Sequence, residues 1–226
     1  MRSIAKLMKD WQFTGPNGVT TAVELPHTWN ARDGQDGGND YWRGCCTYCT
    51  RFAAPVYDPA QQQVWLQFEG VNASAAVLLN GQQLCTHDGG YSTFRAEVTE
   101  LLQAENQLTV RVDNSVNDRV YPQKADFTFY GGIYRDVSLL VVNKNHIALG
   151  HFGDTGVKIT PTLKEGSTDI QVETLVEGSG TVTVELLDAE GRTVAKGEGE
   201  NTFLHLDAPH LWNGIKDPYL YTCVVR

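Results

Sequence analysis

The sequence predicts an all-β protein built as two β-sandwiches in series. Three observations carry that prediction. Short apolar runs alternate with period two along most of the 226 residues. Gly-, Asn- and Asp-rich breaks separate them at hairpin spacing. Only AEVTELLQA (96–104) has a helical pattern, and it is too short to change the class.

Taken in order, QQQVWLQFEGV (61–71) alternates, with Val64, Leu66 and Phe68 on one face and Trp65 and Gln67 on the other. AAVLLNGQQLCTHDGG (75–90) reads as a hairpin turning at Asn80-Gly81, the dipeptide that most readily takes the positive φ angles of a tight turn. NQLTVRVDNS (106–115) alternates through Leu108, Val110 and Val112, and RDVSLLVV (135–142) closes the first half. The polar step Asn143-Lys144-Asn145 then divides the chain into domains 1–144 and 145–226. In the second, VKITP, TDIQVET, TVTVELLD, RTVAKG, TFLHL and PYLYTCVV follow at short intervals. Such spacing predicts an immunoglobulin-like sandwich, here without the Cys…Trp…Cys arrangement of antibody domains.

Composition narrows the function. Hydrophobic residues are 41% and charged residues 20%, enough for an ordinary core. Net charge is −9; residues 1–144 carry 15 acidic and 12 basic side chains and residues 145–226 carry 12 and 6. No basic stripe exists, so nucleic acid is not an expected partner. No apolar run approaches the roughly 18 residues of a membrane span, and the start MRSIAKLMKDW lacks the apolar core of a signal peptide. Five cysteines without such a signal imply reduced thiols and a cytoplasmic protein, in which the sequon Asn72-Ala73-Ser74 carries no sugar.

NARDGQDGGNDYWRG (30–44) is too polar and glycine-rich for a strand. Its Asp33, Asp36, Asn39 and Asp40 lie beside Tyr41 and Trp42. Carboxylates, an amide and aromatic faces suit a sugar, accepting from its hydroxyls and covering its C–H faces; they equally suit a solvated loop of Asx turns. Cys46 and Cys49 have CxxC spacing, but no second pair or histidine set completes a tetrahedral metal site, so Cys45, Cys46 and Cys49 read as buried free cysteines. No nucleophile elbow, P-loop or dinucleotide fingerprint is present.

Several stretches, in order, resemble the N-terminal region of glycoside hydrolase family 2, the β-galactosidase and β-glucuronidase family. They are DWQF (10–13), VELPHTWN (23–30), DGQDGGNDYWRG (33–44), FEGVNASAAVLLNGQQL (68–84), HDGGYSTFRAEVTELL (87–102), LTVRVDN (108–114), GGIYRDV (131–137) and LWNGIKDPYLYT (211–222). The acidic loop and HDGGYSTF are most similar to the β-galactosidase branch.

The resemblance implies a galactose-binding-like jelly roll over 1–144 and an immunoglobulin-like sandwich lacking its last strand over 145–226. It implies a non-catalytic N-terminal region whose partner is the enzyme's own TIM barrel, where both catalytic glutamates would reside. The substrate would be a β-galactoside or related glycoside, and the alternative is a stand-alone carbohydrate-binding module. Asp33, Asp36 and Asn39 would shape the rim of the sugar pocket. Asp126, six residues before Gly132, matches an aspartate that reaches the substrate and helps hold sodium. No cofactor is expected in these residues themselves, with sodium or magnesium in the whole enzyme. Gly131 and Gly132 are expected to permit close backbone approach or positive φ, Arg135 and Asp136 to be structural without pairing, His87 and Asp88 to brace a loop, and Tyr91 to lie in the core. An exposed last edge in the second domain would pair with another copy of the chain or leave that domain the less stable one.

Overall fold

The computed structural model describes residues 2–33, 42–120, 129–150 and 152–226. Two compact units form, Met1–Asn143 and Lys144–Arg226. The described residues are strands and turns throughout, with one 3₁₀ turn at Thr99–Leu101.

The first unit is a sandwich of antiparallel sheets. One sheet runs Thr20–Val23, Trp11–Thr14, Cys45–Ala53, Glu105–Asp113, Ser74–Leu79, Gln82–Asp88; the other runs Ser3–Lys6, Val137–Asn143, Gln62–Phe68, Phe94–Glu97. Alternation supplies the core. Tyr48, Val77, Leu79, Leu108, Val110 and Val112 from the six-stranded sheet meet Val64, Leu66, Phe68, Leu139 and Val141 from the four-stranded one. Asn80 and Gly81 take φ of 52° and 84°, the twin positive values of a tight hairpin turn between Ser74–Leu79 and Gln82–Asp88.

Three details depart from the sequence reading. Trp65, expected on the outer face with Gln67, is buried, because Val137–Asn143 beside it is covered on both faces. The 96–104 segment is not helical: Ala96 and Glu97 finish the strand Phe94–Glu97, and one 3₁₀ turn follows. Tyr91 is 58% exposed rather than in the core. Its backbone carbonyl accepts from Arg135 Nη1 at 3.1 Å.

A small third sheet places Gly132–Ile133 between His27–Thr28 and Val71–Asn72. Gly132 has φ of 142°, and a Cβ there would collide with the His27 carbonyl oxygen; one at Gly131 would collide with the Trp29 ring. Both glycines therefore hold the backbone where no side chain fits. Arg135 and Asp136 precede the next strand and do not pair with each other: Asp136 meets Lys6, while Arg135 reaches the Glu69 and Tyr91 carbonyls.

The second unit pairs the sheet Val157–Lys164, Ser167–Thr174, Asn201–Asp207 with the sheet Thr193–Glu198, Thr183–Leu187, Thr222–Val225. Its core is small, formed by Ile170, Val172, Val182, Val184, Leu186 and Leu204.

Candidate functional site

Asn30 and Asn114 are both completely buried, and their side chains meet. Asn30 Oδ1 accepts from Asn114 Nδ2 at 3.1 Å and from the Gly131 amide at 2.7 Å. Asn30 Nδ2 donates to Asp33 Oδ2 at 2.6 Å and to the Trp42 carbonyl at 2.8 Å. Asn114 Nδ2 also donates to the Phe129 carbonyl at 3.0 Å, and its Oδ1 accepts from the Gly44 amide at 2.9 Å. Every side-chain polar atom of this pair is used, as burial in a low-dielectric interior requires.

The consequence is positional. Asp33 and Trp42 flank the acidic loop, and Asp33 Oδ2 accepts from the Trp42 amide at 3.2 Å, closing its neck. Phe129 and Gly131 follow the segment that carries Asp126. One buried amide pair thus joins residues on both sides of the acidic segment 34–41 to residues that follow 121–128. Arg43 adds to the clasp, donating through Nε to the Asn114 carbonyl at 2.7 Å and lying over the Phe129 ring at 5.2 Å. Trp42 packs edge-on against Trp29, and Trp29 stacks on Phe13, giving the neck an aromatic wall. Beside it runs an open groove of about 490 Å³, lined by Phe13, Asn17, His27, Thr28, Trp29 and Arg32 among others.

His27 lines this groove. Burial lowers its pKa, and its Nδ1 lies 2.7 Å from the Tyr48 hydroxyl. Burial drives the Tyr48 pKa upward, so the phenol keeps its proton. His87 Nε2 contacts the Gly89 carbonyl at 3.1 Å and Ser92 Oγ at 3.0 Å, while Asp88 takes Ser74 and Arg119, so both residues brace the HDGG loop.

Of the sequence-predicted site residues, Asp33 is the neck clasp just described. Asp36, Asn39 and Asp126 lie outside the described residues. Asn30, Asn114 and Arg43 were missed, because a buried asparagine in WN or DN reads in sequence like any turn residue. The cysteine reading needs one correction: of Cys45, Cys46 and Cys49, only Cys46 is buried, with its pKa pushed up to about 12 by burial first and by Cys45 and Asp113 next. On the Cys45–Ala53 strand, alternation turns Cys46 inward and its odd-numbered neighbours outward. Among the described residues, no group of three His, Cys, Asp or Glu side chains is placed to hold a metal ion.

Residues 39–162 match the glycosyl hydrolase 2 galactose-binding domain-like family, and residues 151–226 match the glycosyl hydrolases family 2. A β-glucuronidase of Bacteroides fragilis is 32% identical over 95% of this chain, which covers 34% of that protein. The crystal structure of an FMN-binding β-glucuronidase from Faecalibacterium prausnitzii superposes with a TM-score of 0.92 at 34% identity, over 100% of this chain and 37% of that one. A putative β-galactosidase from Bacteroides fragilis gives 0.91 at 34% identity, over 100% and 38%. The chain spans about a third of the length of these relatives.

Proposed function

Because the chain belongs to glycosyl hydrolase family 2, we propose that it is the N-terminal, non-catalytic part of a retaining β-glycosidase and forms the rim of the pocket for the terminal sugar. The observation that carries this reading is the buried Asn30–Asn114 pair, which gathers the feet of the two loops bearing Asp36, Asn39 and Asp126. Loops fastened at one rigid node can present acceptors to sugar hydroxyls with little ordering cost on binding. The chemistry itself would need two carboxylates about 5–5.5 Å apart across the glycosidic bond. We assign those to a catalytic barrel, and to this chain only orientation of the substrate.

The substrate class is a β-galactoside or a related glycoside. Relatives named for β-glucuronides and for β-galactosides both match, so the assay includes both sugars. Sodium, if it is used, would be held by Asp126, and no part of the reading is routed through the ion.

Two measurements test the proposal. The 226-residue chain alone is expected to leave nitrophenyl β-galactoside and β-glucuronide intact; turnover that tracks the protein through purification would sink the idea. Grafted in place of the matching region of the full-length Bacteroides fragilis β-glucuronidase, the chain should support turnover. Asp36→Ala or Asp126→Ala should then raise KM about tenfold, the worth of one hydrogen bond to a charged group. Unchanged KM in both variants would remove these loops from the sugar pocket, and micromolar galactoside binding by the chain alone would favour a free-standing binding module.

A further inference from the structure

The groove beside the neck of the acidic loop is lined entirely by residues of the first unit. One wall is the turn of the hairpin Trp11–Thr14 and Thr20–Val23; the other is the chain from His27 to Arg32. Both walls hold their own shape. In the turn, the Gly15 amide donates to the Val19 carbonyl at 3.1 Å and the Val19 amide donates to Asn17 Oδ1 at 3.0 Å. Opposite, Thr28 Oγ1 donates to the Gly131 carbonyl at 2.7 Å, and Asn30 is fixed by its buried partners. Walls set in advance add little ordering cost to binding. The volume, about 490 Å³, lies within the span of about 300–1,000 Å³ usual for small-molecule sites.

The lining is aromatic at the base and polar above it. Phe13 stacks on Trp29 with ring centroids 6.0 Å apart, giving apolar surface suited to the C–H faces of a sugar ring. His27 engages the Tyr48 hydroxyl through Nδ1, and its Nε2 has no partner among the described residues. Asn17 uses Oδ1 within its own turn and keeps Nδ2 as a donor.

Charge selects among sugars. Arg32 is exposed and makes no ion pair with any described residue. Among the described residues lining the groove there is no Asp or Glu. The adjacent Asp33 commits its Oδ2 to Asn30 Nδ2 and the Trp42 amide. On a chain of net charge −9, an acid-free groove with an unpaired guanidinium is a local place for an anion. The guanidinium fork can hold a planar carboxylate, or two oxygens of a sulfate, through paired N–H···O bonds.

We propose that this groove binds an anionic sugar unit, a uronate or a sulfated sugar, with its ring against Phe13 and Trp29 and its anion on Arg32. Trp29 packs on Trp42 and Arg32 precedes Asp33, so the groove adjoins the neck of the acidic loop. The bound unit is then the one linked to the terminal sugar, and the substrate is an acidic glycan rather than a simple glycoside. That placement rests on the function proposed above; binding in the groove does not.

Nuclear magnetic resonance titration of the 226-residue chain tests this with probes that differ only at C6: methyl β-glucuronide, methyl β-glucoside 6-sulfate and methyl β-glucoside. The Trp29 indole and the Thr28 and Ala31 amides should shift. At least one anionic sugar should bind about tenfold more tightly than the neutral one, the worth of one hydrogen bond to a charged group. The tighter of the two identifies the anion. Arg32→Ala should leave thermal melting unchanged and bring the anionic sugars to the affinity of the neutral one. Arg32→Lys should restore part of the preference, as a point charge without the fork. Equal affinity for all the probes in the wild type overturns the proposal, as does a preference that survives Arg32→Ala or shifts confined to other residues. The titration needs no catalytic partner, so its failure would leave the KM tests of Asp36 and Asp126 standing. Unchanged KM in those variants would remove only the placement beside the terminal sugar.

Discussion

Replacing Asn30 with alanine would strip a partner from the Gly131 amide and from Asn114 Nδ2, both of them buried. Each orphaned group costs about 1–3 kcal/mol, so Asn30→Ala should lower stability by about 2–4 kcal/mol in urea titration. Asp33→Asn keeps an oxygen for Asn30 Nδ2 and the Trp42 amide, and should stay within about 1 kcal/mol of wild type. Equal losses in the two variants would show that the buried pair is not what holds the loop neck. His27 supplies a pH test at the same scale. Its folded pKa is depressed by burial, so its contribution is present above the unfolded value of about 6.5 and is lost as pH falls through the folded value. Burial lowers His87 too, with the same sign. The first unit should therefore weaken on acidification below about pH 6.5, and His27→Gln should flatten that slope in thermal melts. An unaltered slope would exclude His27 as its source. The roles of Asn30 and His27 were not legible beforehand, because sequence does not tell a buried amide or imidazole from a solvated one.

At the scale of elements, legibility followed the kind of signal. The Asn80-Gly81 hairpin could be read because its chemistry is local: two residues supply the whole turn. Trp65 could not, since alternation reports only which side of a strand faces the sandwich, and the outer cover came from elsewhere. The 96–104 stretch has helical periodicity, but pairing of Phe94–Glu97 with Gln62–Phe68 claims its first residues. Two glycines separate conformational from steric demands. Gly81 has φ of 84° and open space around its missing Cβ, whereas Gly132 has φ of 142° and the His27 carbonyl against it. Gly81→Ala should cost about 1–2 kcal/mol, the left-handed strain alone. Gly132→Ala adds a collision with backbone and should cost about 2 kcal/mol more, within the range for overpacking. Chemical denaturation of both variants checks the order, and a milder effect at Gly132 would mean that the small third sheet yields without loss.

Across the whole molecule, burial is distributed unevenly. Among the described residues, the core of the second unit comprises six buried residues, against 22 in the first. Each fully buried Val or Leu contributes about 1.5–3 kcal/mol, while ordering the backbone costs about 1–2 kcal/mol per residue wherever it occurs. A unit with fewer buried side chains per ordered residue should open at lower free energy. Hydrogen exchange on the intact chain is expected to exhaust protection in 144–226 before the central strands Cys45–Ala53 and Glu105–Asp113 exchange. The two units should also respond to pH with opposite signs. His205, hydrogen-bonded to Asp169 and Asp207, has its pKa raised, so its contribution is full below about 6.5 and is lost as pH rises through the folded value. That contribution is small, since the cluster is exposed. Acidification should then narrow the gap in protection between the units by weakening the first and sparing the second. Uniform protection at neutral pH, or a gap that widens in acid, would contradict this division of stability.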